Sequence, residues 1–227
     1  NSPNAAVSAS RLGLNSALVT NIGDDEEGNR ALSQLQSDRV NTTLIKRHRG
    51  MKTNYHYVLW YQDDRTILIK HEEYPYTLPD MGEPKWLYLS SLGEHSLPFH
   101  STIADYLDSH PKTKLVFQPG TFQIKQGIET LKRLYQKTEV FFCNTDEARR
   151  LLKSSSTDPL TLLKGLQACG PKIVVVTDGP KGAYAYYQDG AWFMPTYPDP
   201  KPPLNRTGAG DAFASTFTSA LALGKTV

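Results

Sequence analysis

The sequence predicts an α/β fold with a mostly parallel central sheet, helices on both sides and a small β lid. Three observations carry that expectation: short apolar runs that fit strands buried on both faces, helix-period segments between them, and one alternating stretch that breaks the rhythm. Length and composition agree. At 227 residues, 39% hydrophobic and 10% aromatic, the chain can bury one continuous core as a single domain over residues 1–227, and these figures exclude disorder, collagen and coiled coil.

Taken in order, the first apolar run is Ala17–Thr20. From Thr53 to His71 the pattern becomes alternation: Tyr55, Tyr57, Leu59 and Tyr61 against His56, Val58 and Trp60, then Gln62–Arg65 as a turn, then Thr66–Ile69. A two-stranded ribbon is marginal alone. This hairpin is therefore expected to pack on more strands, a partner chain or the mouth of a cleft, which makes residues 43–72 a candidate lid. Trp86–Leu89, Lys114–Phe117, Val140–Cys143 and Ile173–Val176 supply the remaining buried strands. Between them, Thr121 to Tyr135 reads as one helix with Ile124, Ile128, Leu131 and Tyr135 on its apolar face. Ala183–Tyr187, the turn Gln188–Gly190 and Ala191–Met194 form a second hairpin, too close behind the Ile173 run for a crossover helix and so expected at an antiparallel sheet edge. Pro195–Pro203 is a stiff connector.

The charge balance narrows the partners. With 25 Lys+Arg against 23 Asp+Glu, a formal charge of +2 gives no footprint for nucleic acid or an anionic membrane, and Lys46–Arg49 reads as a solvated strand end. A small-molecule ligand is expected. No run approaches the roughly 18 apolar residues of a spanning helix, so the expectation is a soluble, cytoplasmic protein. Cys143 and Cys169 read as free thiols in apolar surroundings, and the six histidines show no metal-ligand spacing.

The chemistry concentrates near the end of the chain. Thr207-Gly-Ala-Gly-Asp211 opens a helix with apolar face Phe213, Phe217, Ala220 and Leu221 and a stop at Gly224. Its free N–H groups carry about half a positive charge and suit an anion such as a phosphate. Asp211 falls in the first turn beside that anion hole, where a carboxylate can accept a proton from a hydroxyl; the alternative is that it only complements the helix dipole. A dinucleotide-binding reading is weaker, because the third glycine of that fingerprint is absent and the motif does not follow a first strand.

These residues resemble the ribokinase-like, or PfkB, carbohydrate kinases, and three further segments match in order. Asn4 to Gly13 with Asn21–Asp25 and Gly28 is similar to the family's N-terminal signature. Asn144-Thr-Asp-Glu147 resembles its Asn-x-x-Glu motif, and Val176 to Gly182 resembles its nucleotide-contacting Thr-x-Gly-x-x-Gly turn. The resemblance implies a ribokinase-like three-layer fold with a β lid and transfer of the γ-phosphate of ATP to a sugar-type hydroxyl. It makes Asp211 the base and the backbone at Gly208, Ala209 and Gly210 the phosphoryl cradle. It also implies that Asn144 and Glu147 organise Mg²⁺ and the ATP phosphates, that Thr177, Gly179 and Gly182 line the nucleotide, and that Asn4 binds a substrate hydroxyl. Against these stand plainer readings: helix capping by Asn144, Thr145 or Asp146 with Glu147 exposed, turn-shaping glycines, and a simple helix-start asparagine.

Asn205-Arg206 departs from the family's usual Asp-Thr or Asp-Arg, which puts activation by a monovalent cation in doubt. The family pattern also leads one to expect further chain before Asn1 and after Val227. Within the kinase reading a nucleoside acceptor is the alternative, since Tyr55, Tyr57 or Trp60 could stack on a base, and a non-catalytic ligand-binding protein on the same fold is another. Lys46, Arg47, Arg49 and Lys52 would suit a phosphorylated sugar. A homodimer through the lid completes the expectations.

Overall fold

The computed structural model describes residues 1–61, 64–70, 72–198 and 207–227. The turn residues Gln62 and Asp63, His71, the connector beyond Pro198 and the Asn205-Arg206 departure lie outside them. The amino-terminal part runs α1 (Ser2–Arg11), β1 (Thr20–Gly23), α2 (Glu26–Ser37), β2 (Ile45–His48) and the hairpin β3 (Tyr55–Tyr61) and β4 (Asp64–Lys70). There follow β5 (Trp86–Leu89), α3 (Leu97–Ser109), β6 (Lys114–Phe117), α4 (Thr121–Thr130), α5 (Lys132–Lys137), β7 (Thr138–Asn144), α6 (Thr145–Leu152) and α7 (Pro159–Gln167). The chain closes with β8 (Ile173–Thr177), β9 (Ala183–Tyr187), β10 (Gly190–Met194) and α8 (Ala209–Ala222).

The central sheet has the order β10-β9-β8-β7-β6-β5, parallel from β5 to β8 and antiparallel at β9 and β10. The second hairpin thus forms the expected antiparallel edge. Period-2 alternation divides the strand residues between two cores. Leu115, Phe117, Phe141, Val174 and Val176 pack with Ile103, Leu107, Leu134 and Leu163 on one face, while Val116, Val140, Phe142 and Val175 pack with Phe213, Ala214 and Phe217 of α8 on the other. Each such side chain withdrawn from water contributes about 1.5–3 kcal/mol. Among the described residues no helix is long and apolar enough to cross a membrane.

Two expectations need correction. The single helix from Thr121 to Tyr135 is interrupted twice: Gly127 takes φ +81°, ψ 169° inside α4, a conformation that breaks the helical backbone, and α4 gives way to α5 at Leu131, with φ −104° and ψ 18°. After the break Leu131, Leu134 and Tyr135 still enter the core, so the apolar pattern survives the loss of helical continuity. The first strand is Thr20–Gly23, displaced along the chain from Ala17–Thr20. It pairs with β2 in a separate parallel sheet and is not part of the central one. Ala17 makes only an isolated bridge to Asn41, and Leu18 alone of that run is buried, in a small core with Ala6, Leu35 and Val40.

The proposed lid segment therefore contains two structures: β2 belongs to the β1–β2 pair, and β3–β4 form their own antiparallel ribbon, with Tyr57 opposite Leu68 and Leu59 opposite Thr66. Its root is built by the Asn21–Gly28 segment. Asp25 caps α2 by accepting from Gly28 N–H at 3.1 Å, and the same carboxylate accepts from the Thr53 amide at 2.9 Å and hydroxyl at 2.6 Å. These bonds, led by the Thr53 hydroxyl, lower its pKa to about 2. Strand entry at Thr53 passes so close to Gly23 that a β carbon there would overlap the Met51 carbonyl. Gly28 is equally confined, since its β carbon would lie 2.7 Å from Gly23 O and 2.8 Å from Thr53 Oγ1.

Gly28→Ala should destabilise the protein by about 1–3 kcal/mol through overpacking, seen as a lowered thermal midpoint. Gly28 lies in the first turn of α2 and its φ is not left-handed, so crowding of the added β carbon is the source of the loss. Equal melting of wild type and Gly28→Ala would show that the root yields freely.

Candidate active site

The site begins where the parallel strands end. Asn144 closes β7 opposite Thr177 at the end of β8, and Gln118 follows β6, so polar side chains line the carboxyl edge, where open α/β sheets take their ligands. Helix α8 lies on the sheet through Phe213, Ala214 and Phe217, which brings its first turn to that edge beside Gln118. Gly208 is its N-cap at φ +81°, a left-handed start that glycine adopts without strain.

Asp211 stands in the first turn of α8 and is only 7% exposed. Asn4, in the first turn of α1, donates from Nδ2 to Asp211 Oδ2 at 2.9 Å. Helices α1 and α8 pack together, and Pro3 and Asn4 sit at the start of α1, as the helix-start reading requires. Asn4 Nδ2 also lies 3.6 Å from the position a β carbon would take on Gly208, so the bare glycine start faces this carboxamide. Thus Asn4, Gly208, Gly210 and Asp211 come together across nearly the full length of the chain.

Asn144 and Glu147 are brought together by a capping box: Glu147 N–H donates to Asn144 Oδ1, and Asn144 N–H donates to Glu147 Oε2, both at 2.9 Å. The capping alternative is met for Asn144. Its companion clause fails, because Glu147 is half-buried, and burial raises its pKa despite the bonds from Asn144. Among the described residues no group of three or more His, Cys, Asp or Glu side chains gathers as a metal cage. A single half-buried carboxylate suits a cation that keeps most of its own water, as Mg²⁺ does.

Thr177 ends β8 and its carbonyl accepts from Thr145 Oγ1 at 3.3 Å. Gly179 (φ +54°) borders open space, whereas a β carbon on Gly182 (φ +112°) would overlap the Met194 carbonyl. Gly182 therefore shapes the turn against β10, while Gly179 leaves room above it. No hydrogen bond joins this turn to the Asp211 group among the described residues.

Sequence reasoning missed three residues here. Tyr88 of β5 donates its hydroxyl to Gln118 Oε1, and burial together with the Asp211 charge pushes the Tyr88 pKa up. Gln123 is fully buried: Oε1 accepts from Gly120 N–H at 2.9 Å and Leu92 N–H at 3.3 Å, and Nε2 donates to Ser90 O at 3.1 Å. It locks together the loops that follow β5 and β6. Neighbouring His100, 2% exposed, is held neutral because burial lowers its pKa to about 4. The available signal was a polar residue directly after a buried strand, as in Phe117-Gln118-Pro119.

With this geometry in hand, residues 2–227 match the profile of the pfkB family of carbohydrate kinases. The chain belongs to that family. This pfkB-family chain is 25% identical to an uncharacterized sugar kinase of Archaeoglobus fulgidus over 96% of its own length and 87% of that protein. It is also 25% identical to a nucleoside kinase of Methanothermobacter thermautotrophicus, over 96% of itself and 69% of that protein. Among solved structures it resembles an Arabidopsis thaliana ribokinase complexed with ribose and ATP, with TM-score 0.82 and 18% identity over 99% of this chain and 74% of that one. The fold is thus ribokinase-like, with mixed sheet and flanking helices as the sequence led one to expect.

Proposed function

We propose that this protein transfers the terminal phosphoryl group of ATP to a hydroxyl of a sugar or sugar-like substrate, with Asp211 as general base. The observation that carries the reading is the buried Asp211 carboxylate, fixed by Asn4 in the first turn of α8 beside the left-handed Gly208. Asn4 occupies Oδ2, which leaves Oδ1 to accept the proton of an acceptor hydroxyl. Asn4 Oδ1 accepts no side-chain hydrogen bond among the described residues and is proposed to accept from a second substrate hydroxyl. Backbone N–H groups at Gly208, Ala209 and Gly210 point from the positive end of α8 toward the place where phosphoryl charge gathers. Positioning and charge stabilisation account for most of the rate in such a transfer.

Thr177, Gly179 and Gly182 are proposed to border the nucleotide. The ATP complex of the Arabidopsis ribokinase supports ATP as the donor. Glu147, with Asn144 fixing its orientation, would hold Mg²⁺ through water and supply positive charge to the ATP phosphates. Dependence on ATP suits a cytoplasmic enzyme. A nucleoside acceptor is the second reading, favoured by the Tyr55–Tyr57 ring pair on the hairpin, with centroids 5.1 Å apart, and by the nucleoside kinase relative. A panel of sugars, sugar phosphates and nucleosides assayed for ADP release separates the two, and a purely ligand-binding role is excluded by turnover on any of them.

The hairpin also presents Tyr57, Leu59 and Leu68 on one face at 62%, 55% and 50% exposure. We propose that a second copy of the chain covers this apolar face, giving a homodimer through the lid.

Asp211→Asn should lower kcat by about 10² to 10⁴ while ATP affinity, measured by titration calorimetry, changes little. Turnover close to wild type would remove Asp211 as base. Glu147→Ala should raise the Mg²⁺ concentration needed for half-maximal activity, because the carboxylate acts on the metal before it acts on the acceptor. Superimposed Mg²⁺ titrations would leave Glu147 a capping residue alone. For the dimer, sedimentation equilibrium should give a doubled mass for wild type and a single mass for the Tyr57→Lys, Leu59→Lys variant; a monomeric wild type rules the interface out.

A further inference from the structure

The cradle at Gly208–Gly210 is approached by two carboxamides, and the function proposed above uses only one. Asn4 comes from the α1 side. From the sheet side comes Gln118, whose Nε2 lies 3.9 Å from the position a β carbon would take on Gly210. Apart from the helix itself and the chain neighbours of Gly210, it is the one atom of the described residues within 4 Å of that position.

Three features fix which end of the amide faces the cradle. The Gln118 backbone is pinned, its N–H donating to Leu89 O at 2.9 Å. The Tyr88 hydroxyl donates to Oε1, so the carbonyl end points back toward β5 and the NH₂ end points the other way. Tyr88 is held in its donating, neutral form, because burial and the nearby Asp211 charge both disfavour its phenolate. The Nε2 group makes no hydrogen bond to a protein acceptor among those of the described residues, although the side chain is half-buried. A donor pinned at its other end and left without an acceptor beside a helix N-terminus is arranged to meet an anion from outside the chain.

We propose that Gln118 is a further catalytic residue, donating a side-chain N–H to an oxygen of the transferred phosphoryl group, with Tyr88 as the positioning residue that holds its amide in register. This rests on the phosphoryl-transfer reading above. Side-chain and backbone donors would then grip the same anion from two directions, Gln118 from the sheet and the amides of Ala209 and Gly210 from the helix. A preorganised donor of this kind contributes about 10²- to 10³-fold in kcat.

The test has a binding arm and a kinetic arm. In ¹⁵N-labelled protein the Gln118 side-chain NH₂ signals are assigned by their absence in Gln118→Met, and inorganic phosphate is titrated. The expected result is that they shift along the same saturation curve as the backbone amides of Ala209 and Gly210. If the backbone amides saturate and the side chain stays still, Gln118 is not a phosphate donor and the cradle stands without it. If neither responds, the cradle fails and the phosphoryl-transfer reading fails with it. Kinetically, Gln118→Met should lower kcat about 10²-fold with KM for ATP and acceptor nearly unchanged, and Tyr88→Phe should lower kcat by about 10-fold. A raised acceptor KM at unchanged kcat would make Gln118 a substrate ligand and overturn the proposal. Should Gln118→Met fold poorly, the phosphate titration of wild type and of Gln118→Leu decides alone.

Discussion

The hydrogen bond from Asn4 to Asp211 joins residues 207 positions apart, and the arrangement of the rest depends on it. It can form only if α1 and α8 pack side by side, and α8 can lie there only because Phe213, Ala214 and Phe217 bury against Val116, Val140, Phe142 and Val175 of the sheet. The Asp211 carboxylate is thereby referenced to the rigid core and not to a loop. A contact of such sequence separation carries a loop-closure entropy that the packing of the intervening elements has to offset.

Much of the fold was legible because buried strands have few ways to be written. Leu115–Phe117, Val140–Cys143 and Ile173–Val176 are apolar on both faces, and only a strand with helices above and below can bury both. The hairpin at Ala183–Met194 was legible for a different reason, the absence of room for a crossover. What escaped was decided by single residues whose effect is conformational. Gly127 breaks a helix whose apolar spacing is unblemished, because periodicity reports where side chains point and carries nothing about φ. Ala17–Thr20 failed for another reason: its apolar character serves the small core of Ala6, Leu18, Leu35 and Val40, and hydropathy does not say which sheet a strand joins.

The candidate site divides in the same way. Gly208, Gly210 and Asp211 lie within one helix turn, and Asn144 with Glu147 within another, so spacing alone could nominate them. Tyr88, Gln118 and Gln123 come from separate segments and meet only through the parallel pairing of β5 with β6 and the loops beyond it. No local pattern announces a residue whose role is defined by a neighbour on another strand. The capping box shows the converse: the sequence offered Asn144 as cap or as ligand support, and the folded chain makes it the first while keeping the Glu147 carboxylate half-buried and turned from its ordinary pKa. The two readings do not compete, because a cap that fixes a carboxylate is also what orients it.

The two halves of the chain are held by different physics, and that difference bears on specificity. Helix α8 is fixed by close packing of Phe213, Ala214 and Phe217 on the sheet, so the place of its first turn is set before any ligand arrives. The ribbon β3–β4 pairs with no other strand among the described residues and is tied to the body through the Asp25–Thr53 knot, in which Gly23 and Gly28 leave no space for a side chain. A tight root beneath a ribbon that pairs with no further described strand keeps the ribbon mechanically separate from the Asn4–Asp211 contact. A sugar kinase relative and a nucleoside kinase relative match this chain at the same 25% identity, so overall identity does not choose between the two acceptors.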